Sequence, residues 1–137
     1  DKKWFENLLH ELLKRRLGAS WDFEETFVES KPMFGDYLVM GAAPDEKQYK
    51  EVTEPSLLPK LMESYLAEYN LSTNKVMSLI FFRDAIEHIS RICRILRAPR
   101  GNAILVGMGG SGRQSLSRVA AFICDCKCRE LEVTKGY

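Results

Sequence analysis

The most constraining feature of this 137-residue sequence is the glycine-rich run GMGGSGRQS, from Gly107 to Ser115. An apolar run, Ala103 to Val106, precedes it, and an amphipathic pattern follows it. This order predicts a short buried strand, a tight loop and a helix. The segment Glu130 to Val133 predicts a second strand and completes a βαβ order. The sequence therefore predicts an α/β fold around this loop.

The glycine-rich run has the spacing of a phosphate-binding loop, G-x-x-x-x-G-K-[ST], with two departures. Arg113 stands at the lysine position, and Gln114 stands at the serine or threonine position. In such loops backbone amides at a helix N-terminus bind phosphate oxygens, the lysine binds the terminal phosphates and the hydroxyl ligates magnesium. The candidate nucleotide-binding residues are Gly107, Met108, Gly109, Gly110, Ser111, Gly112, Arg113, Gln114 and Ser115.

The two departures argue against efficient hydrolysis at this loop. The planar guanidinium of Arg113 keeps the charge of an ammonium without its geometry. Gln114 has no hydroxyl, and Ser115 places one about 100° further round a helix. Hydrolysis also needs an acidic residue at the end of a later strand, and no such strand end follows the loop in this sequence. We therefore predict nucleotide binding with no catalytic residue and no metal ligand; a glycine turn that holds no ligand is the alternative.

Apolar residues at spacings of three and four predict three helices ahead of the loop. They run from the N-terminus to Leu17, from Ser56 to Tyr69 and from Thr73 to Arg97. Gly18 ends the first, and Pro59 is tolerated in the first turn of the second. Residues 19–52 predict a mostly irregular linker with a short extended piece at Tyr37 to Met40. Because a parallel sheet needs more than two strands to bury both faces, we expect a fragment of a larger chain.

The composition excludes several function classes. A net charge of +1 gives no general attraction to nucleic acid or to an anionic membrane. No apolar run approaches the roughly 20 residues of a membrane span, and the N-terminus lacks the apolar core of a signal peptide. We therefore expect a soluble, intracellular protein with reduced thiols. The run Cys124, Cys126 and Cys128 lacks the second pair of a zinc site, so we interpret these cysteines as ordinary thiols.

Two other residue groups have simple interpretations. His10 and His88 stand alone on helices and have no partner for catalysis or metal binding. A basic cluster on the third helix and just beyond it could contact phosphate or nucleic acid, but a solvated helix face is the favoured interpretation. That cluster comprises Arg91, Arg94, Arg97 and Arg100.

The stretch LIFFRDAIEHISRICRILRAPRGNAILVGMGGSGRQSLSRVAAFI, from Leu79 to Ile123, closely resembles the dynein heavy chain family. It is similar to the start of the fourth AAA+ module of axonemal dyneins, in which AIEHISRI, PRGNA and GGSGRQSL are characteristic. Weaker similarity includes FGDYL at Phe34, YLAEYN at Tyr65 and KGY at Lys135. The N-terminal WFENLLHELL resembles the connection that leaves the third module.

The resemblance implies the N-terminal part of a P-loop AAA+ large subdomain, with the order strand–P-loop–helix–strand preceded by amphipathic helices. Residues 1–52 would then be a helix and irregular linker from the preceding module. Residues 53–137 would be the N-terminal part of the nucleotide-binding domain. The implied ligand is ATP or ADP, which Mg²⁺ can accompany, and the implied role of this module is mainly regulatory.

The resemblance further implies a parent that is an ATP-driven, minus-end-directed microtubule motor of cilia and flagella. The expected location is the cytoplasm, the cytoskeleton and the ciliary axoneme. The implied partners are neighbouring AAA+ modules of the same heavy chain, dynein light and intermediate chains, and microtubules through distant parts of the parent. Two other interpretations stay open: a structural AAA+ module with a vestigial loop that binds no nucleotide, and a free-standing small kinase or ATPase.

Overall fold

A computed structural model describes residues 1–18, 22–29, 31–43 and 45–131 of the chain. It divides into two compact units, Asp1–Pro32 and Met33–Tyr137. The helices are α1 (Lys2–Leu17), a π-helical segment (Glu24–Glu29), a 3-10 turn (Pro55–Leu57), α2 (Leu58–Ser72), α3 (Arg83–Arg97) and α4 (Arg113–Ile123). The strands are β1 (Phe34–Gly35) and β2 (Lys50–Glu51). The described chain is therefore mostly helical, with one two-stranded antiparallel sheet.

The first unit consists mainly of α1, which confirms the first predicted helix. Gly18 follows its last residue with φ 81° and donates its amide to the Lys14 carbonyl at 3.2 Å. Glycine adopts this left-handed backbone without the Cβ clash that other residues meet. Within the same unit, the rings of His10 and Phe23 stack with centroids 5.2 Å apart.

The second unit opens with the short sheet, and here one prediction is wrong. The extended piece predicted at Tyr37–Met40 is a bend, while β1 pairs with β2 just before it. The cause is the Tyr37 side chain, which is only 1% exposed and shares a 2.5 Å hydrogen bond with Ser90 on α3. Because the Ser90 hydroxyl donates to the Ile86 carbonyl at 2.7 Å, Tyr37 is the donor to Ser90. This bond holds the bend against α3 and ends the strand.

The predicted second helix is confirmed as α2, with Pro59 in its first turn. The predicted third helix is confirmed only from Arg83 onward, as α3. Residues 73–82 are not helical; there Met77, Leu79 and Phe81 turn toward the core and the intervening side chains are exposed. That alternation has the period of an extended chain rather than of a helix.

Asn70 near the end of α2 binds the backbone of the segment that follows the helix. Its side-chain amide donates to the Met77 carbonyl at 2.8 Å, and the Met77 amide donates to the Asn70 side-chain oxygen at 2.9 Å. The pair mimics one rung of a β-ladder and fixes the backbone at Met77 in a non-helical course. After a bend at Asn74 and Lys75, residues 76–82 therefore lead from α2 to α3 as an extended connection.

The strand predicted at Ala103–Val106 does not form among the described residues, so the expected strand–P-loop–helix–strand order is not confirmed here. Glu130 and Leu131 form no strand either, and residues 132–133 lie outside the described residues. A strand requires backbone partners on a neighbour, and the described part of the chain pairs none with residues 103–106. Ile104 and Val106 are accordingly 93% and 90% exposed, while Leu105 packs partly on the core.

The core of the second unit lies between α2, α3 and α4, with β1 against α3. Its largest fully buried side chains are Tyr37, Met62, Ile86, Ile89, Cys93 and Val119. Burial of each aliphatic side chain of this size contributes about 1.5–3 kcal/mol. The helix predicted after the loop is confirmed as α4, whose C-terminal half supplies Val119, Ala120 and Ile123 to this core. No helix in the described part of the chain is long and apolar enough to span a membrane.

Candidate nucleotide-binding loop

The candidate site comprises residues 107–112 and the first turn of α4. Gly110 and Gly112 have φ of 78° and 77°, in the left-handed region that favours glycine. Gly112 is the N-cap of α4, and its carbonyl accepts the Leu116 amide at 2.8 Å. These two glycines therefore turn the chain sharply from the exposed 103–106 segment into the helix.

The first turn of α4 presents backbone amides that have no helical acceptor. Leu116 donates the first intrahelical bond, so the amides of Arg113, Gln114 and Ser115 precede it. Gly112 has no side chain to cap them, and no side-chain cap is formed at this end among the described residues. No acidic side chain occupies the first turn. Free amides and the positive end of the helix dipole together favour an anion at this position.

Arg113 lies across the loop. Its Nη2 donates to the Met108 carbonyl at 3.1 Å. On the opposite side, a Cβ added to Gly107 would lie 3.5 Å from Arg113 Cδ and 2.9 Å from Ser111 Oγ. The absent side chain of Gly107 thus leaves room for both neighbours. A guanidinium has five N–H groups, so Arg113 retains donors for a phosphate while it holds Met108.

The remaining predicted site residues make fewer contacts within the loop. Gln114 is exposed and Ser115 is half-buried. Gly109 has open space around it, with no atom within 4 Å of an added Cβ. The structure therefore brings Gly107, Met108, Ser111 and Arg113 together, and it places Gln114 on the outer surface of the first turn.

Two arginines of the predicted basic cluster pair with acidic residues, so the cluster is not one open basic patch. Arg97 Nε pairs with Asp36 Oδ2 at 2.9 Å, and Arg91 pairs with Glu87 at 3.4 Å. Asp36 belongs to no functional motif in the sequence. Its pairing with Arg97 at the end of α3 left no local signal in the sequence, because the two residues meet only through the fold.

Sequence reasoning also missed a contact between two cysteines. The Cys93 thiol donates to the Ala120 carbonyl, and the Cys124 thiol donates to the Cys93 carbonyl, each at 3.8 Å. The two cysteines are 31 residues apart in the sequence, and no local pattern links them. Among the described residues, no three His, Cys, Asp or Glu side chains converge as a metal site would require.

A glycine-rich loop that turns through left-handed residues into a helix, with an arginine folded across it, defines a P-loop type of site. Residues 77–137 match the family described as the P-loop containing dynein motor region D4. The human dynein axonemal heavy chain 6 is 42% identical to this chain over 100% of it, and this covers 3% of that protein. The human dynein axonemal heavy chain 2 is 51% identical over 77% of this chain and 2% of that protein.

A flagellar relative shows the same pattern of similarity. The dynein-1-beta heavy chain of the flagellar inner arm I1 complex of Chlamydomonas reinhardtii is 40% identical over 100% of this chain and 3% of that protein. The chain belongs to the dynein heavy chain family, as its resemblance from Leu79 to Ile123 predicts. It spans only 2–3% of the length of these relatives.

Proposed function

We propose that this chain is a nucleotide-binding, regulatory part of the AAA+ ring of an axonemal dynein heavy chain. The observation that carries the proposal is the set of uncapped amides at the N-terminus of α4, with Arg113 beside them. These groups match the charge of a di- or triphosphate. ATP or ADP is the proposed ligand, and Mg²⁺ can accompany it.

The proposed parent is an ATP-driven, minus-end-directed microtubule motor of cilia and flagella. It would act in the cytoplasm, the cytoskeleton and the axoneme, with neighbouring AAA+ modules, light chains and intermediate chains as partners. Microtubules would be bound by distant parts of the parent. The names of the relatives, which are axonemal or flagellar dyneins, support this location.

The proposed role is regulatory because the loop offers binding groups and no catalytic one. Gln114 replaces the hydroxyl that normally ligates magnesium, and no acidic side chain lies in the first turn of α4. A phosphate bound by the loop amides would order residues 107–112 against a helix that is already anchored in the core. A ligand that favours one arrangement of this loop would bias the modules that respond to it.

The test is nucleotide titration of the chain and of its Arg113→Ala variant by calorimetry. A hydrogen bond to a charged group is worth about 1.5–3 kcal/mol, so loss of Arg113 should weaken ADP and ATP binding about 10- to 100-fold. Gln114→Ala is the matched control, since Gln114 is exposed and should change affinity less than about threefold. Equal affinity in the wild type and Arg113→Ala would show that Arg113 is not a phosphate ligand.

A structural module with a vestigial loop is the second candidate, and one observation favours it. The loop already makes contacts of its own, since Arg113 donates to the Met108 carbonyl and the Ser111 hydroxyl lies close to Gly107. In that case Arg113→Ala would lower the free energy of unfolding, and the wild type would bind neither nucleotide. Saturable binding by the wild type excludes this candidate.

A further inference from the structure

Two buried thiols meet where the C-terminal part of α3 packs against the end of α4. Cys93 lies on α3 and is 1% exposed, and Cys124 is the C-cap of α4 and is 6% exposed. Each thiol donates to a carbonyl on the other side, Cys93 to Ala120 and Cys124 to Cys93, at 3.8 Å. The reciprocal bonds keep the two sulfur atoms on facing sides of one helix–helix contact.

The charges around this pair differ for its two members. The pKa of Cys124 is lowered, first by its side-chain contact with Cys93 and then by the nearby Arg97 guanidinium, while burial and Asp36 oppose the shift. The pKa of Cys93 is raised by that same contact and by burial. Asp36 is itself paired with Arg97 at 2.9 Å. Cys124 is therefore the thiol of the pair that ionises more readily.

We propose that Cys93 and Cys124 form a reversible disulfide site, oxidised by a small disulfide, that closes residues 94–123 into a covalent ring. The Cys124 thiolate attacks one sulfur of the small disulfide, whose S–S bond breaks and releases one thiolate. Cys93 then gives up its proton and attacks Cys124 Sγ, which releases the second thiol. The two cysteines lose two electrons in total, and the small disulfide is reduced to two thiols.

The proposed covalent ring would contain the glycine-rich loop and the helix that follows it. Residues 94–123 contain the end of α3, the exposed segment before the loop, the glycine-rich loop and all of α4. The disulfide would tie the two ends of this segment together at the core and leave the loop itself free. The inference does not depend on nucleotide binding, so either proposal can fail alone.

The two exposed cysteines can be replaced for the test, so that the buried thiols are the only ones left to react. Cys126 and Cys128 are exposed, so Cys126→Ser combined with Cys128→Ser leaves only the buried pair. This protein, fully reduced, is treated with 2-hydroxyethyl disulfide, and the remaining thiols are alkylated. Because trypsin cleaves after Arg91 and Arg94, Cys93 lies on a short peptide apart from Cys124. Peptide mapping by mass spectrometry then shows whether the two peptides are joined.

The expected result is complete loss of alkylation at both thiols and a Cys93–Cys124 cross-linked peptide, both reversed by reductant. Cys93→Ser in the same background should stop at a mixed disulfide on Cys124. In the wild type, which needs no substitution to fold, the same cross-link should be dominant. The proposal would be overturned if the Cys126→Ser/Cys128→Ser protein kept both thiols alkylated or stopped at a mixed disulfide on Cys124. It would also be overturned by a Cys124–Cys126 link in the wild type.

Discussion

The two ends of α4 differ sharply in their surroundings. At the C-terminal end Val119 and Ala120 are fully buried, and the helix packs against both α2 and α3. At the N-terminal end the loop residues from Gly107 to Ser111 are exposed, and the first-turn amides lack a cap among the described residues. Stability therefore resides at one end and the candidate binding groups at the other, which is how rigid scaffolds commonly carry functional loops.

This comparison predicts its largest effect from a matched pair of isoleucines. Ile89 is 0% exposed on α3, whereas Ile104 is 93% exposed before the loop. Ile89→Ala should lower the free energy of unfolding by about 2–5 kcal/mol, since it leaves a cavity. Ile104→Ala should change it by less than about 0.5 kcal/mol. Urea unfolding followed by circular dichroism measures both; similar losses in the two variants would contradict the division between core and loop.

A smaller effect is expected from a matched pair of glycines inside the loop. Gly112 has φ 77°, whereas Gly109 has open space around it and no left-handed backbone. Gly112→Ala should therefore cost about 1–2 kcal/mol of strain at the N-cap of α4. Gly109→Ala should leave the unfolding free energy within about 0.5 kcal/mol of the wild type. If both variants unfold at the same urea concentration as the wild type, the turn does not require left-handed residues.

A third expected effect concerns alkaline pH and the buried tyrosines. Burial raises the pKa of Tyr65 from its ordinary 10.0 to about 12. The folded protein therefore holds this proton more tightly than the unfolded chain does. Its stabilising contribution is complete below pH about 10 and is lost as pH rises through about 12. The unfolding free energy of the wild type should fall more steeply over this interval than that of Tyr65→Phe.

The control for this effect is the neutral-pH behaviour of the same variant. The Tyr65 hydroxyl donates to the Tyr37 carbonyl at 2.9 Å, so Tyr65→Phe should also cost about 1 kcal/mol at pH 7. Parallel pH curves for the two proteins, offset by that amount, would show that Tyr65 does not titrate differently on folding.

The sequence predicted those parts of the fold that depend on local pattern. Gly18, Pro59 and the apolar spacing placed α1, α2 and α4 correctly, because helix signals lie within a few residues of one another. The start of α3 was missed because Leu79 and Phe82 lie three and four residues apart ahead of Ile86, so they extend the apolar stripe of the true helix toward the N-terminus. Only the pair of hydrogen bonds between the Asn70 side chain and the Met77 backbone shows that this stretch is extended.

Features that depend on contacts made only in the folded chain could not be predicted from local sequence patterns. The apolar run at residues 103–106 has strand composition, yet a strand forms only with a partner, and none pairs with it in the described part of the chain. At the candidate site, glycine spacing located the loop and its helix correctly. It gave no sign that Arg113 bonds to the Met108 carbonyl, since an arginine side chain of this length has many acceptors within reach.

Nucleotide binding at the loop is the central claim, and direct titration tests it most simply. A complete D4 motor region that contains this sequence would be titrated with ADP and with ATP by calorimetry, with Arg113→Ala as the paired variant. The account predicts saturable binding with a Kd below about 1 mM, equivalent to about −4.1 kcal/mol, and weaker binding in the variant. No detectable heat of binding for either nucleotide at millimolar concentration would contradict it.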